Sequence, residues 1–130
     1  MQKKELIKYW IDSSDSDFRA MVHLHEKGDF SWALFIGHLV IEKLLKAWYA
    51  QNHSNTPPFT HDLVRLAEKG GLPLDEAQKD LLDTISTFNL RTRYDDYKME
   101  FQKKCTPEFA EKWFNTIKEM REWTKNKLTK

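Results

Sequence analysis

Three polar residues share one side of an otherwise apolar stretch. His38, Glu42 and Lys46 stand at i, i+4 and i+8, with Lys43 beside them, so a helix would stack them in one narrow stripe. Further along come His61 and the dense segment Arg91, Arg93, Tyr94, Asp95 and Tyr97. Three chemistries are open to such a set. A histidine beside a carboxylate moves protons near neutral pH, while an arginine or lysine steadies a phosphorane. The same cations could instead hold a phosphate or nucleotide, with Tyr94 or Tyr97 as a stacking face. Or the polar groups form a buried network that fixes helix register. Arg93 stands out among them, because a guanidinium grips a phosphate or carboxylate with a two-pronged fork that lysine cannot copy.

Other chemistries find no support. The histidines at 23, 25, 38, 53 and 61 include no H-E-x-x-H or E-x-x-H, so no metal site is expected. The aspartates and serines from Asp12 to Asp17 lack the glycine and terminal glutamate of a calcium loop and read as a solvated face. Cys105 precedes the helix start Thr106-Pro107, where a helix N-terminus would lower its pKa, though a plain boundary cysteine explains it as well. There is no glycine-rich phosphate loop, and no cofactor is expected.

The stripe must be positioned by the stretch from Gly28 to Gln51, which reads as one long helix apolar on nearly every side. Such a helix needs neighbours. Each large side chain it buries contributes roughly 1.5 to 3 kcal/mol, more than the ~0.5 to 1 kcal/mol cost of a mid-helix Gly37, which points to close approach by another helix. Asp29 or Ser31 is placed to cap it. Before it, residues 3–27 have helical spacing with a weak, Asp- and Ser-rich centre that invites a kink. After it, the two prolines of residues 52–59 make a loop, Thr60 caps a short helix over 61–69, and Pro73 and Asp75 start another. The segment LRTRYDDYKMEF has no clean periodicity and reads as a loop. Thr106-Pro107-Glu108 opens a last, aromatic-rich helix to about Lys127. The expected architecture is an all-α, up-and-down bundle of about five helices, in one domain spanning 1–130.

Composition sets the outer bounds. Of 130 residues, 40% are hydrophobic and 32% charged, and 21 basic against 20 acidic residues leave a formal charge of +1. That balance disfavours non-specific duplex DNA binding. A single cysteine precludes an internal disulfide, no leader pattern opens the chain, and Glu42, Lys43 and Lys46 interrupt the best apolar run. The expected compartment is the cytoplasm, with no membrane partner.

The ordered motifs also resemble a family. Gly28, Asp29, Phe30, Trp32 and Ala33, followed by Glu42-Lys43 and Lys46-Ala47, look like the second helix of HEPN domains, written as a small residue, an aromatic, then E-K-x-L-K-A. His61-Asp62-Leu63 resembles the H-[SD]-L that starts the family's short third helix, and Thr92-Arg93-Tyr94 resembles its T-R-Y-P-D segment, with Asp95-Asp96 where that pattern has proline then aspartate. The resemblance implies a helical bundle, commonly a homodimer, in a superfamily of metal-independent ribonucleases, toxin partners of small nucleotidyltransferases, and inactive binding members. It places His61, Arg93 and Tyr94 on functional ground.

The ribonuclease members carry R-x4-6-H at the start of a late helix. Here no histidine follows His61, and the only formal match, Arg19 to His25, lies on the first helix with its ends roughly 120° apart around the axis. The expectation is therefore a nucleotide- or RNA-binding interaction domain without catalysis, paired with a small nucleotidyltransferase in a toxin–antitoxin-like system. The expected ligand site is Arg93, Tyr94, His61, Lys43, Lys46, Arg91 and Asp95. The rival is a divergent metal-independent ribonuclease. Trp32, Phe35, Trp48, Tyr49, Trp113 and Trp123 exceed what so small a bundle easily covers, which favours a homodimer.

Overall fold

A computed structural model describes residues 2–53, 56–90 and 95–128. Those residues form six α-helices and no strand: α1 (Lys3–Glu26), α2 (Phe30–Asn52), α3 (Leu63–Lys69), α4 (Glu76–Ser86), α5 (Asp95–Lys104) and α6 (Pro107–Leu128). The helix α2 is the axis of the assembly. Ala33, Val40, Ile41, Leu44 and Ala47 are fully buried along it, and they join Met21 of α1, Leu63 and Leu66 of α3, Leu82 and Ile85 of α4, and Ile117 of α6 in one core. The helix is apolar around its circumference because it has neighbours around its circumference.

Local sequence explains most boundaries. Gly28 follows α1 with φ +81°, a left-handed conformation that costs glycine nothing and reverses the chain into α2. Asp75 caps α4, its carboxylate accepting from the Gln78 N–H at 2.7 Å while Gln78 Oε1 accepts from the Asp75 N–H at 2.9 Å. This is a reciprocal capping box. Thr106 Oγ1 accepts from the Phe109 N–H at 3.2 Å, as its position before Pro107 leads one to expect.

Five expectations need correction. The first helix, expected to be weakened at its centre, is one uninterrupted element from Lys3 to Glu26. Its polar centre is a solvated face only in part: Asp12 and Ser16 are exposed, but Ser14 is fully buried and its hydroxyl donates to the Val40 carbonyl at 2.8 Å. Asp15 meets Arg121 Nη2 at 3.2 Å and Lys125 Nζ at 2.8 Å, while Asp17 meets Lys43 Nζ at 2.6 Å. The short third helix is capped by Asp62, whose carboxylate accepts from the Arg65 N–H at 3.1 Å, with Thr60 Oγ1 accepting from Asp62 one step earlier. Asp29 is the N-cap residue of α2 but makes no side-chain cap bond.

The fifth correction is α5, a sixth helix within the segment expected to be a loop. Asp95 and Asp96 lie in its first turn and Lys103 and Lys104 in its last, each sign at the end where the helix dipole favours it. It is tied down by Tyr97, whose hydroxyl donates to the Thr87 carbonyl at 2.8 Å, and by Phe101, whose ring sits 5.3 Å from buried Phe88. The Trp113 ring of α6 meets Phe88 edge-on at 5.6 Å, so one phenylalanine joins the ends of α4, α5 and α6.

Gly37 marks the closest helix approach. A Cβ there would stand 2.7 Å from Ile117 Cδ1 and 2.8 Å from Met21 Sδ. Gly37→Ala gains about 1 kcal/mol of helix propensity but overpacks this contact by about 1 to 3 kcal/mol. A net stability loss of about 1 kcal/mol is expected in thermal melting, and Ile117→Val, which removes Cδ1, should reduce it in the double variant. Additive effects of the two substitutions would refute the close contact.

Candidate functional site

The stripe on α2 is real and largely buried. His38 is fully buried, and the Glu42 side chain is 6% exposed. One carboxylate oxygen of Glu42 accepts from Lys46 Nζ at 3.2 Å and the other from His61 Nδ1 at 3.0 Å. The chain reaches Glu42 a second time because the connection after α2 returns His61 to it, directly before the Asp62 cap fixes the start of α3. An ionised carboxylate only accepts, so Nδ1 of His61 carries the proton. Its Nε2 has no partner among the described residues, on a side chain that is 38% exposed.

His38 completes the cluster from below. Its Nε2 lies 3.4 Å from the His61 carbonyl oxygen, which as an acceptor places the proton on Nε2, and 3.8 Å from Glu42 Oε1. His38 Nδ1 is buried without a partner. Burial pushes the His38 pKa down, and this outweighs the opposing pull of the Glu42 charge and the His61 carbonyl. His38 is therefore neutral near pH 7. Burial pushes Glu42 up, but the His61 hydrogen bond and the Lys46 charge outweigh it, leaving the carboxyl below its usual range. Glu42 is ionised, and Lys46 balances it while also lying 4.9 Å above the Trp10 ring.

Of the residues expected to share a site, the structure brings together His61 and Lys46, on Glu42. Lys43 is drawn away from the stripe to Asp17 of α1, because one residue along a helix is a rotation of about 100°. Asp95 opens α5 with a side chain 97% exposed that lies 3.9 Å from Lys98 Nζ; it takes no part in the cluster. Arg91, Arg93 and Tyr94 lie outside the described residues. Sequence reasoning missed Phe59, whose ring is 6.0 Å from His61 in edge-on geometry and whose exposure is 99%. A large apolar residue after two prolines was the available signal.

The formal Arg19/His25 pair is not a site. His25 Nε2 is 2.9 Å from Glu111 Oε2, and its ring stacks on Phe114 with centroids 4.2 Å apart, so it docks α1 on α6. Burial pushes the Cys105 thiol up to about 11, opposite to an activated cysteine. Among the described residues no group of three His, Cys, Asp or Glu side chains is placed to hold a metal, and no helix is long and apolar enough to cross a membrane.

The cluster gives stability a pH dependence of defined sign. His38 has a folded pKa below its ordinary 6.5, so the stability tied to its neutral form is complete above that value and is lost as the pH falls from there toward the folded pKa. Glu42 has a folded pKa below its ordinary 4.5, so its contribution is present above 4.5 and is lost only as the pH falls through the lower folded value. Melting temperature should therefore drop between pH 7 and pH 5, and His38→Gln should remove most of that slope whatever its effect at pH 7. A slope unchanged in His38→Gln would contradict a neutral buried His38.

Comparison with known proteins gives one match. Neither the curated proteins nor the solved structures contain a chain that matches this one. The family model described as HEPN domain matches residues 7–128, from the second turn of α1 to the last residue of α6, and so takes in nearly the whole helical bundle. The chain belongs to the HEPN domain family.

Proposed function

We propose that this chain is a nucleotide- or RNA-binding interaction domain rather than a nuclease, and that it works as a homodimer beside a small nucleotidyltransferase. Membership of the family supports the nucleotide- and RNA-related part of the reading. The observation that carries the binding part is the surface formed by His61 and Phe59 above the Glu42 carboxylate. Phe59 is a stacking platform for one base, and the adjacent His61 Nε2 offers a polar contact to the sugar-phosphate backbone. Arg93 and Tyr94 are proposed to contribute to the same site, with Arg91 beside them. Against catalysis stand the missing R-x4-6-H and the commitment of Lys46 to Glu42, which leaves no free cation in the described cluster to steady a phosphorane.

One observation favours the rival. A carboxylate that pins Nδ1–H of a histidine while Nε2 stays open is the arrangement of a general base, and it would serve a divergent metal-independent ribonuclease. Incubating the protein with tRNA and messenger RNA, with and without magnesium, separates the two. Binding without cleavage is expected, and cleavage without metal that is lost in His61→Ala would overturn the binding reading.

Phe59→Ala should leave melting temperature unchanged while weakening RNA binding by about 1 to 3 kcal/mol, the usual worth of one stacked base; fluorescence anisotropy of a labelled RNA reads this directly. Arg93→Lys should likewise weaken binding without lowering the melting temperature, and a large stability loss with no RNA bound by the wild type would assign Arg93 to structure. Assembly is tested by sedimentation at micromolar concentration. One chain already buries Phe35, Tyr49 and Trp113, contrary to the expected surplus, so the dimer reading rests on the exposed Tyr9 of α1; a monomer alone would remove it.

A further inference from the structure

A second cleft, of about 160 Å³, opens where the α1–α2 turn meets the α5–α6 turn, with Asp29, Ser31, Trp32, Gln102 and Cys105 in its wall. Three of these carry unmet chemistry. The Asp29 carboxylate is exposed, makes no cap bond to α2 and has no ion pair among the described residues. Ser31 is 8% exposed, yet its hydroxyl makes no hydrogen bond to a described residue. Trp32 is 52% exposed, and its ring contact with Phe35 is T-shaped rather than stacked. The far wall is neutral, since burial holds the Cys105 thiol protonated.

The charges select the occupant. The free carboxylate repels phosphate and accepts hydrogen bonds only. The first turn of α2 has no acidic residue, so its N–H groups bring roughly half a positive charge to the same spot, which offsets about half of the carboxylate charge and weakens the hold on a full cation. What remains is a neutral planar group with two adjacent N–H donors on one edge and a face to stack. Among the four common bases only guanine presents that edge, through N1–H and the 2-amino group. Adenine and cytosine put an acceptor beside their amino group, and uracil has one N–H between two carbonyls.

We infer that this cleft is a guanine-base site in which Asp29 reads the paired N–H edge, Trp32 stacks on the ring, and the Ser31 hydroxyl and Gln102 amide meet the remaining polar atoms. Asp29 lies about 20 Å along α2 from Glu42, so this site is separate from the Phe59–His61 surface and extends the proposed function instead of restating it.

The test is calorimetric titration of the intact protein with guanosine, adenosine, cytidine and uridine 5′-monophosphates, and with argininamide. Guanosine monophosphate should bind about tenfold or more tightly than the others, the discrimination that one good bidentate base contact supports. Asp29→Asn should abolish that preference at unchanged melting temperature, and Asp29→Ser, which places a good N-cap residue at the same position, should do the same. Trp32→Leu should weaken all binding at the cleft. Phe59→Ala should leave guanine preference intact, so that failure at one site is distinguishable from failure at the other. Equal binding of the four nucleotides, no binding of guanosine monophosphate, preference retained in both Asp29 variants, or tighter binding of argininamide would each overturn the assignment, the last in favour of a cradle for a partner's arginine.

Discussion

A carboxylate buried at position 42 is the constraint to which the middle of this bundle answers. A charge so far removed from water is strongly unfavourable unless paired and hydrogen-bonded. Lys46, one turn on, supplies the charge, and His61 supplies the second hydrogen bond. Because His61 comes from a different part of the chain, satisfying Glu42 dictates where the connection after α2 must land. That landing point sets the entry of α3, whose Leu63 N–H then bonds Ser86 Oγ of α4 at 3.0 Å. A leucine in place of Glu42 would fill similar space in the core without saying which turn of α2 the loop should meet.

The flanks of α2 show the same division between burial and direction. Met21, Val40, Ile41 and Ile117 supply the bulk of apolar burial where α1, α2 and α6 meet, but apolar contact permits neighbouring registers. Ser14 to Val40, Asp15 to Arg121 and Lys125, and Asp17 to Lys43 admit one register. Partly exposed ion pairs contribute little energy each, so their importance here is directional. The same polar centre that weakens α1 as an isolated helix is what docks it.

How much of this could be read in the sequence depends on how local each cause is. The helices α2 and α6 were legible because their apolar periodicity is strong, and the caps at Asp75 and Thr106 because a cap acts within four residues. Asp15 of α1 was misread because its partners, Arg121 and Lys125, lie 106 and 110 residues away. The helix α5 was missed because its few apolar positions form no clear stripe, although its acidic start and basic end were in plain view. The stripe His38, Glu42 and Lys46 followed from helical spacing alone. That His61 closes on it did not, since a loop path has no period; only the resemblance to HEPN domains pointed there.

The long reach between Asp15 and Arg121 has a consequence for the order in which the molecule is made. Contacts between α1 and α2 are local and can form while the chain is still being synthesised, but α6 emerges last among the helices and must seat Ile117 against Gly37 and Met21 after everything between has been released. Until then one side of α2 stays uncovered, an apolar strip facing whatever surrounds the nascent chain. The hairpin of α1 and α2 is therefore the stage most exposed to wrong association during birth, and any partner that shields this strip acts before the finished fold exists.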